Sequence, residues 1–174
     1  MNPIFELFQN AKSRTEFEYF AAKQVRSFAD EFSQRYNVVY PDELRWFHSS
    51  AVRTIGEYAV IQPYEAPSKS ILHALDADCR NELERLGCIP VVSDGAGGIF
   101  ALCVIGDGTK GAVYCTTNET CYEQREWVAA SSLTRFFKIL IEADAQGVAW
   151  LEKDALLSFD PALIEIGDAP QIWD

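Results

Sequence analysis

The sequence predicts an α+β protein, because helical and strand patterns occupy largely separate stretches of its 174 residues. Helical periodicity dominates up to residue 87 and returns after residue 131, whereas short apolar strands and glycine-rich turns fill the stretch between them. A chain of this length can bury a hydrophobic core without metals or disulfides. We therefore expect one domain in which helices pack against a sheet.

Two helices are predicted in the first third of the chain. Residues 15–36 place apolar side chains at steps of three and four, behind a capping-box spacing at the N-terminal end. Pro41 predicts the start of a second helix over residues 41–51, because its missing N–H has no helical partner at the first position. Leu44 and Phe47 should face inward from this helix.

A strand and a third helix are expected next. Residues 57–64 favour a strand that ends in prolines, and residues 68–86 repeat leucines at helical spacing. Gly87 is a natural end for that helix.

Residues 88–128 predict an antiparallel meander, in which short turns join successive strands. The second strand is apolar at every position, which is typical of a central strand buried on both faces. The predicted strands cover residues 89–92, 99–105, 112–115 and 123–128. Positions expected to be structural are Pro41, Pro90, Gly95, Gly97, Gly98 and Gly111.

Both glycine-rich segments of the meander match ligand-binding patterns, and both fit turns better. Residues 106–111 match G-x-G-x-x-G, but a dinucleotide loop requires a following helix, and a strand follows here. Residues 94–98 resemble a backbone nest for an anion. We interpret them as a turn with positive φ, because so acidic a chain disfavours an anion.

The last helix is predicted from Leu133 to Gly147, with Ser131 or Ser132 as its cap. Its apolar residues form the clearest amphipathic stripe of the sequence. Residues 148–157 mix apolar and charged side chains without a clear period, and residues 158–174, which are rich in Pro and Asp, are expected to lie along the surface.

No catalytic, metal or cofactor site is predicted. The five cysteines show no C-x-x-C spacing, and their odd number favours reduced thiols in the cytoplasm, as does the absence of a signal-like N-terminus. Neither histidine lies in a recognisable catalytic motif. A nucleophile at Cys103 or Cys115, or a site of scattered carboxylates, stays open as an alternative.

The charge of the chain excludes some partners and favours others. Lys and Arg number 15 against 26 Asp and Glu, which gives a net charge of −11. Nucleic acids and anionic membranes need a basic face, so neither is expected to bind. No apolar stretch is long enough to cross a membrane. A charged partner should therefore be basic.

The order of elements and two local strings resemble the SUKH superfamily of Smi/Knr-like proteins. The first string runs from a helix that contains Phe28-Ala29-Asp30-Glu31-Phe32, through an extended approach, to the proline-led segment of residues 40–47. The second, residues 88–102, is an apolar strand with proline, an Asp-Gly-rich turn and another apolar strand. Residues 111–114 and 133–137 resemble the next strand and the closing Phe-rich helix of that superfamily.

This resemblance implies a central, mostly antiparallel sheet flanked by helices. It covers roughly residues 25–145, so one SUKH-like domain over residues 1–174 would carry an N-terminal helical extension (1–24) and a C-terminal tail (148–174). Many bacterial members of the superfamily look like immunity proteins that neutralise polymorphic toxins, often nucleases or deaminases. The superfamily has no shared catalytic set, which implies a binding protein rather than an enzyme.

The acidic surplus places the expected partner contact in the second half of the chain. Residues 1–39 hold five basic and five acidic side chains, whereas residues 111–174 hold four basic and eleven acidic ones. A nuclease toxin must be basic to hold phosphate, so an acidic binder would be drawn to it. The residues expected to contact it are Asp107, Glu119, Glu123 and Glu126. A regulatory scaffold domain is the alternative reading, and a small enzyme is the second alternative.

Overall fold

The computed structural model describes residues 7–8, 16–17, 29–30, 33–34, 37–50, 52–61, 87–104, 111–117, 119 and 125–166. Its strands are β1 (Glu16–Phe17), β2 (Val52–Ile55), β3 (Tyr58–Val60), β4 (Cys88–Ser93), β5 (Gly98–Cys103), β6 (Val113–Thr117) and β7 (Trp127–Ala130). The helices are α1 (Asp42–Ser50), α2 (Leu133–Gln146) and α3 (Lys153–Phe159), followed by a 3₁₀ helix (Pro161–Glu165).

These seven strands form one antiparallel sheet in which each strand pairs with its neighbour in the sequence. The described part of the chain thus has an α+β fold with a central antiparallel sheet flanked by helices, as expected. All six residues of β5 are buried, so its prediction as a central strand is confirmed. No helix among the described residues is both long and apolar enough to cross a membrane.

Helix α2 begins and ends where the sequence predicts. Ser132 is its N-cap, and the Ser132 hydroxyl accepts a hydrogen bond from the backbone N–H of Arg135 at 3.3 Å. Gly147 ends the helix in the left-handed region, with φ of 72°. Phe136 on α2 packs against Phe100 of the sheet, with ring centroids 5.1 Å apart.

Two aromatic clusters anchor α2. One surrounds Phe100 and consists of Tyr58, Phe100, Trp127, Phe136 and Trp150. In the other, Phe137 of α2 packs against Phe47 of α1 and against Phe8. The centroids of Phe47 and Phe137 are 4.1 Å apart. The inward direction predicted for Leu44 and Phe47 is confirmed, because both side chains are buried.

Pro41 occupies the N-cap position of α1, one residue before the first helical position that was predicted for it. Helix α1 begins at Asp42, and the carbonyl oxygen of Pro41 accepts the backbone N–H of Arg45 at 3.0 Å. Pro41 is therefore the cap that accepts the first helical hydrogen bond. Pro90 lies in β4 next to a shift in register between Pro90 and Val92, where a residue without an N–H is tolerated.

The helix predicted over residues 15–36 is wrong at its start. Residues 16 and 17 form β1 and pair with Thr54 and Val52 of β2, whereas residues 29–30 and 33–34 are helical. Pairing with a strand distant in the sequence outweighs the local helical pattern here. The helix predicted over residues 68–86 lies outside the described residues.

Several strand boundaries differ from the prediction. Strand β2 was not predicted, and Glu57, predicted to start a strand, belongs to the turn that joins β2 to β3. Strand β3 begins at Tyr58. The last strand begins at Trp127 rather than at residue 123, and most of the turn over residues 106–111 lies outside the described residues.

The described residues after Gly147 contain α3 and the 3₁₀ helix, and the side chains of Leu151, Leu156 and Leu163 are buried. Of these leucines only Leu163 belongs to the segment expected along the surface, whose other described residues include the exposed Pro161 and Glu165. These leucines are five and seven residues apart, so no single helical stripe marks them in the sequence.

Candidate binding site

One end of the sheet collects acidic side chains from elements far apart in the sequence. The pairing of Ala59 with Ser93, and of Gly98 with Thr117, brings the β2–β3 turn, the β4–β5 turn and the β6–β7 connection to the same end. Helix α2 also terminates there. This surface, called the acidic end below, comprises Glu57, Asp94, Glu119, Glu126 and Asp144.

The turn between β4 and β5 is built around Asp94. One oxygen of its carboxylate accepts the backbone N–H groups of Ala96 and Gly98, both at 2.8 Å. The converging N–H groups that a backbone nest would offer to an anion are therefore occupied by the protein's own carboxylate. The interpretation of this segment as a turn is confirmed by the positive φ of Gly95 (75°) and Gly97 (113°).

Asp144, in the last turn of α2, lies close to the β2–β3 turn. A Cβ atom added to Gly56 would lie 2.5 Å from Oδ1 of Asp144, so only glycine leaves room for this carboxylate. Gly56 also has a positive φ of 59°. Glu57 is exposed in the same turn. The two carboxylates thus belong to facing walls of one site.

Between these walls lies a cleft of about 170 Å³ that is open to solvent. Tyr58 lines the cleft, and its phenol donates a hydrogen bond to the carbonyl oxygen of Ala149 at 2.7 Å. The described lining contains two acidic residues and no basic one. The lining residues are Gly56, Glu57, Tyr58, Asp144, Gly147, Val148 and Ala149.

The C-terminus of α2 adds to the negative potential of this cleft. Peptide dipoles leave a partial negative charge at the end of a helix, and a basic residue in the last turn normally offsets it. The last turn of α2 contains no basic residue, and Asp144 lies there instead. An acid at this position costs the helix stability, and the same field attracts a cation.

Burial, together with other carboxylates of the acidic end, raises the pKa values of two neighbouring groups. Burial and then the charges of Asp94 and Glu57 raise the pKa of Tyr58 to about 12. Burial and then the charges of Glu126 and Asp94 raise the pKa of the Cys115 thiol to about 12. Asp94 acts on both groups, so the carboxylates of the acidic end act on one shared region.

Of the four residues predicted to contact a partner, the structure describes two, and both lie at the acidic end. Glu119 is exposed beyond the end of β6, at the acidic end. Glu126 is there too, but it is half-buried and accepts a hydrogen bond from the hydroxyl of Thr117. Asp107 and Glu123 lie outside the described residues. The partner-binding role of all four stays a prediction.

Sequence reasoning missed three residues of this surface. Asp94 was interpreted only as a turn residue, and Glu57 and Asp144 were not considered for partner contact. Two signals could have identified them. Gly56-Glu57 is a turn-like dipeptide between two short stretches with strand propensity. Asp144 is an acidic residue in the last turn of the predicted helix, where basic residues are favoured.

Gly98 and Gly111, two other positions expected to be structural, require glycine for different reasons. A Cβ on Gly98 would collide with the Asp94 carboxylate, so Gly98 is required by this close approach and not by its φ. Gly111 has a φ of 95° with open space around the missing Cβ, so its requirement is conformational.

The cysteine alternative loses support at Cys115. With a pKa near 12 its thiol is neutral at physiological pH, and the thiolate is the form that attacks. Cys103 lies in β5 opposite Cys88, and both side chains are buried. Within the described ranges, no group of three or more His, Cys, Asp or Glu side chains is arranged to hold a metal ion.

Comparisons with profiles of known protein families, with curated proteins and with solved structures find no match to this chain. The resemblance to the SUKH superfamily therefore stays a prediction from the sequence. Function has to be inferred from the chemistry of the acidic end.

Proposed function

We propose that this chain is a non-enzymatic immunity protein, which binds a basic toxin domain of the polymorphic class and neutralises it in the bacterial cytoplasm. The observation that carries the proposal is the acidic cleft between the β2–β3 turn and the end of α2. The SUKH resemblance and the net charge of −11 support the same proposal.

Charge complementarity favours a basic protein as the partner. A nuclease domain presents Lys and Arg side chains to phosphate groups, and an acidic binder competes for that surface. Opposite charges also accelerate the encounter and disfavour other acidic partners. The acidic end supplies five carboxylates on one surface, including two in the cleft.

The cleft suits a single Lys or Arg side chain. Glu57 and Asp144 can accept hydrogen bonds from an ammonium or guanidinium group, and the carbonyl end of α2 adds its partial charge. The ring of Tyr58 offers an aromatic surface to the same cation. The hydrogen bond from Tyr58 to Ala149 joins the two walls before any partner arrives, which lowers the entropic cost of binding.

The test is protection against a toxin. The C-terminal domain of a large secreted protein encoded beside this gene is expressed in a bacterial host, with and without this chain. We expect co-expression to restore growth and the purified complex to have lost the toxin's activity. Failure to bind, or binding that leaves the toxin active, contradicts the proposal.

A matched pair of variants locates the contact. Glu57→Gln with Asp144→Asn removes two negative charges from the cleft, and Asp42→Asn with Glu165→Gln removes two exposed ones elsewhere. The control residues belong to elements that contact the start of α2, at the opposite end of that helix. We expect the first pair to weaken binding by about tenfold or more, and the control pair to change it much less. Equal losses would mean that only net charge matters.

A further inference from the structure

A pair of cysteines faces each other across the two central strands, away from the acidic end. Cys88 is the first residue of β4, Cys103 is the last residue of β5, and the two are directly opposite in the antiparallel register. Side chains at opposite positions project from the same face of a sheet. Both thiols are therefore neighbours at the open end of the β4–β5 hairpin.

The backbone hydrogen bonds show which type of pair this is. Cys103 donates its N–H to the carbonyl oxygen of Ala112 at 2.8 Å and accepts the N–H of Gly111 at 2.9 Å. Both backbone groups of Cys103 therefore point toward β6 and not toward Cys88. The adjacent pair is the hydrogen-bonded one, because Val104 donates to the carbonyl of Gly87 at 2.7 Å.

Opposite residues at a non-hydrogen-bonded position have Cα atoms about 4.5 Å apart. Disulfides form between Cα atoms roughly 4.4–6.8 Å apart, so this spacing permits one near its lower limit.

A positive charge lies beside the same pair. The guanidinium carbon of Arg125 is 4.9 Å from the centroid of the Tyr114 ring, and Tyr114 pairs with Ala101, two residues before Cys103. Burial lowers the pKa of Arg125, but Cys88, Cys103 and Tyr114 together raise it above its ordinary value. Tyr114, Ala101 and Cys103 project from the same face of the sheet, so the guanidinium lies on the face that carries the two thiols. A cation there stabilises a thiolate formed on either one.

We propose that Cys88 and Cys103 are a redox-active dithiol that a peroxide converts to a cross-strand disulfide. One thiol loses its proton, the thiolate attacks one oxygen of hydrogen peroxide and the O–O bond breaks. The departing hydroxide takes up the released proton, which leaves a sulfenic acid and water. The second thiol attacks the sulfenic sulfur and releases a second water as the S–S bond forms. Both sulfurs are oxidised and both peroxide oxygens are reduced. The bond closes the open end of the hairpin.

The first test uses the wild-type chain and hydrogen peroxide. After oxidation, the remaining thiols are blocked and the chain is digested without reductant. We expect a peptide in which Cys88 is linked to Cys103, with the loss of two hydrogen atoms and full reversal by dithiothreitol. Stable sulfinic acid at either cysteine, linkage to other cysteines only, or no oxidation at all would overturn the proposal.

Variants and an independent probe complete the test. Phenylarsine oxide bridges two adjacent thiols, so it should bind wild-type chain in a one-to-one adduct. Cys88→Ser and Cys103→Ser should each abolish the adduct, and Cys115→Ser, a matched buried thiol, should retain it. Arg125→Gln should slow disulfide formation roughly tenfold without changing the product. An adduct that survives both serine variants would contradict the assignment.

Discussion

The carboxylate of Asp160 holds Ser131 through two hydrogen bonds, one from the backbone N–H and one from the hydroxyl, each 2.6 Å long. Asp160 is fully buried, which is rare for an acidic residue. Asp160 directly follows α3 in the sequence, and Ser131 directly precedes Ser132, the N-cap of α2. This contact fixes the C-terminal helices to the start of α2, where Arg135 also donates to the carbonyl oxygen of Phe159.

Removing this carboxylate should destabilise the chain strongly. Asp160→Ala leaves two donors of Ser131 without their acceptor, and hydrogen bonds to charged groups contribute about 1.5–3 kcal/mol each. We expect the free energy of unfolding in urea to fall by about 3 kcal/mol. Glu165→Gln, at a nearby exposed acid, should change it by less than about 0.5 kcal/mol. A loss below about 1 kcal/mol for Asp160→Ala would show that Ser131 finds water instead.

Gly98 and Asp94 should be energetically coupled. Gly98→Ala places a Cβ in the space of the Asp94 carboxylate, which must move away from the two N–H groups it accepts. We expect a loss of about 2 kcal/mol in the wild-type background. In an Asp94→Ala background the same substitution should cost clearly less, because the obstructing group is gone. Additive effects in this double-mutant cycle would refute the coupling.

The stability contributed by Tyr58 should depend on pH. Burial first, then Asp94, Glu57 and Cys115, raise its pKa from 10.0 to about 12 in the folded state. The folded chain therefore keeps the phenol proton that the unfolded chain loses near pH 10.0. The contribution is complete below pH 10.0 and is lost as pH rises toward 12.

Comparison with Tyr58→Phe isolates this effect. At neutral pH the variant should be less stable by about 1 kcal/mol, because the hydrogen bond to Ala149 is lost. The difference between the two proteins should shrink as pH rises above 10.0. Denaturant unfolding at several alkaline pH values measures it, and a constant difference would contradict the raised pKa.

Phe100 should be a critical residue of the core. Its ring stacks on Trp150 at 5.6 Å with 6° between the planes, and meets Trp127 edge to face at 5.7 Å. We expect Phe100→Leu to cost about 2 kcal/mol and to change the near-ultraviolet circular dichroism of the tryptophans. Phe47→Leu, in the other aromatic cluster, should cost a similar amount with a smaller spectral change. Identical spectra for both variants would argue against the stacking.

Elements with a strong local pattern were predictable from the sequence. Helix α2 has both an apolar stripe and terminal signals, Ser132 and Gly147, and its bounds agree with the prediction. Strand β5 is apolar throughout and is buried throughout. In both cases propensity, burial pattern and turn chemistry favour the same structure.

Features that depend on distant partners were not predictable. The backbone of β1 is extended because β2 lies beside it, although its residues continue a helical pattern. Asp160 is buried because Ser131 offers two donors 29 positions away. Glu57 and Asp144 form one cleft only after the sheet and α2 have come together. Sequence periodicity contains no information about contacts between residues that are distant in the sequence.

In the meander, strand residues form the core, whereas turn and connection residues form most of the acidic end. Four of the five carboxylates at the acidic end belong to turns or connections, and the buried strand residues between them carry the core. A connection between neighbouring strands can change its side chains without altering which strands pair. New partner preferences could therefore be engineered, or acquired by descent, one turn at a time on an unchanged sheet.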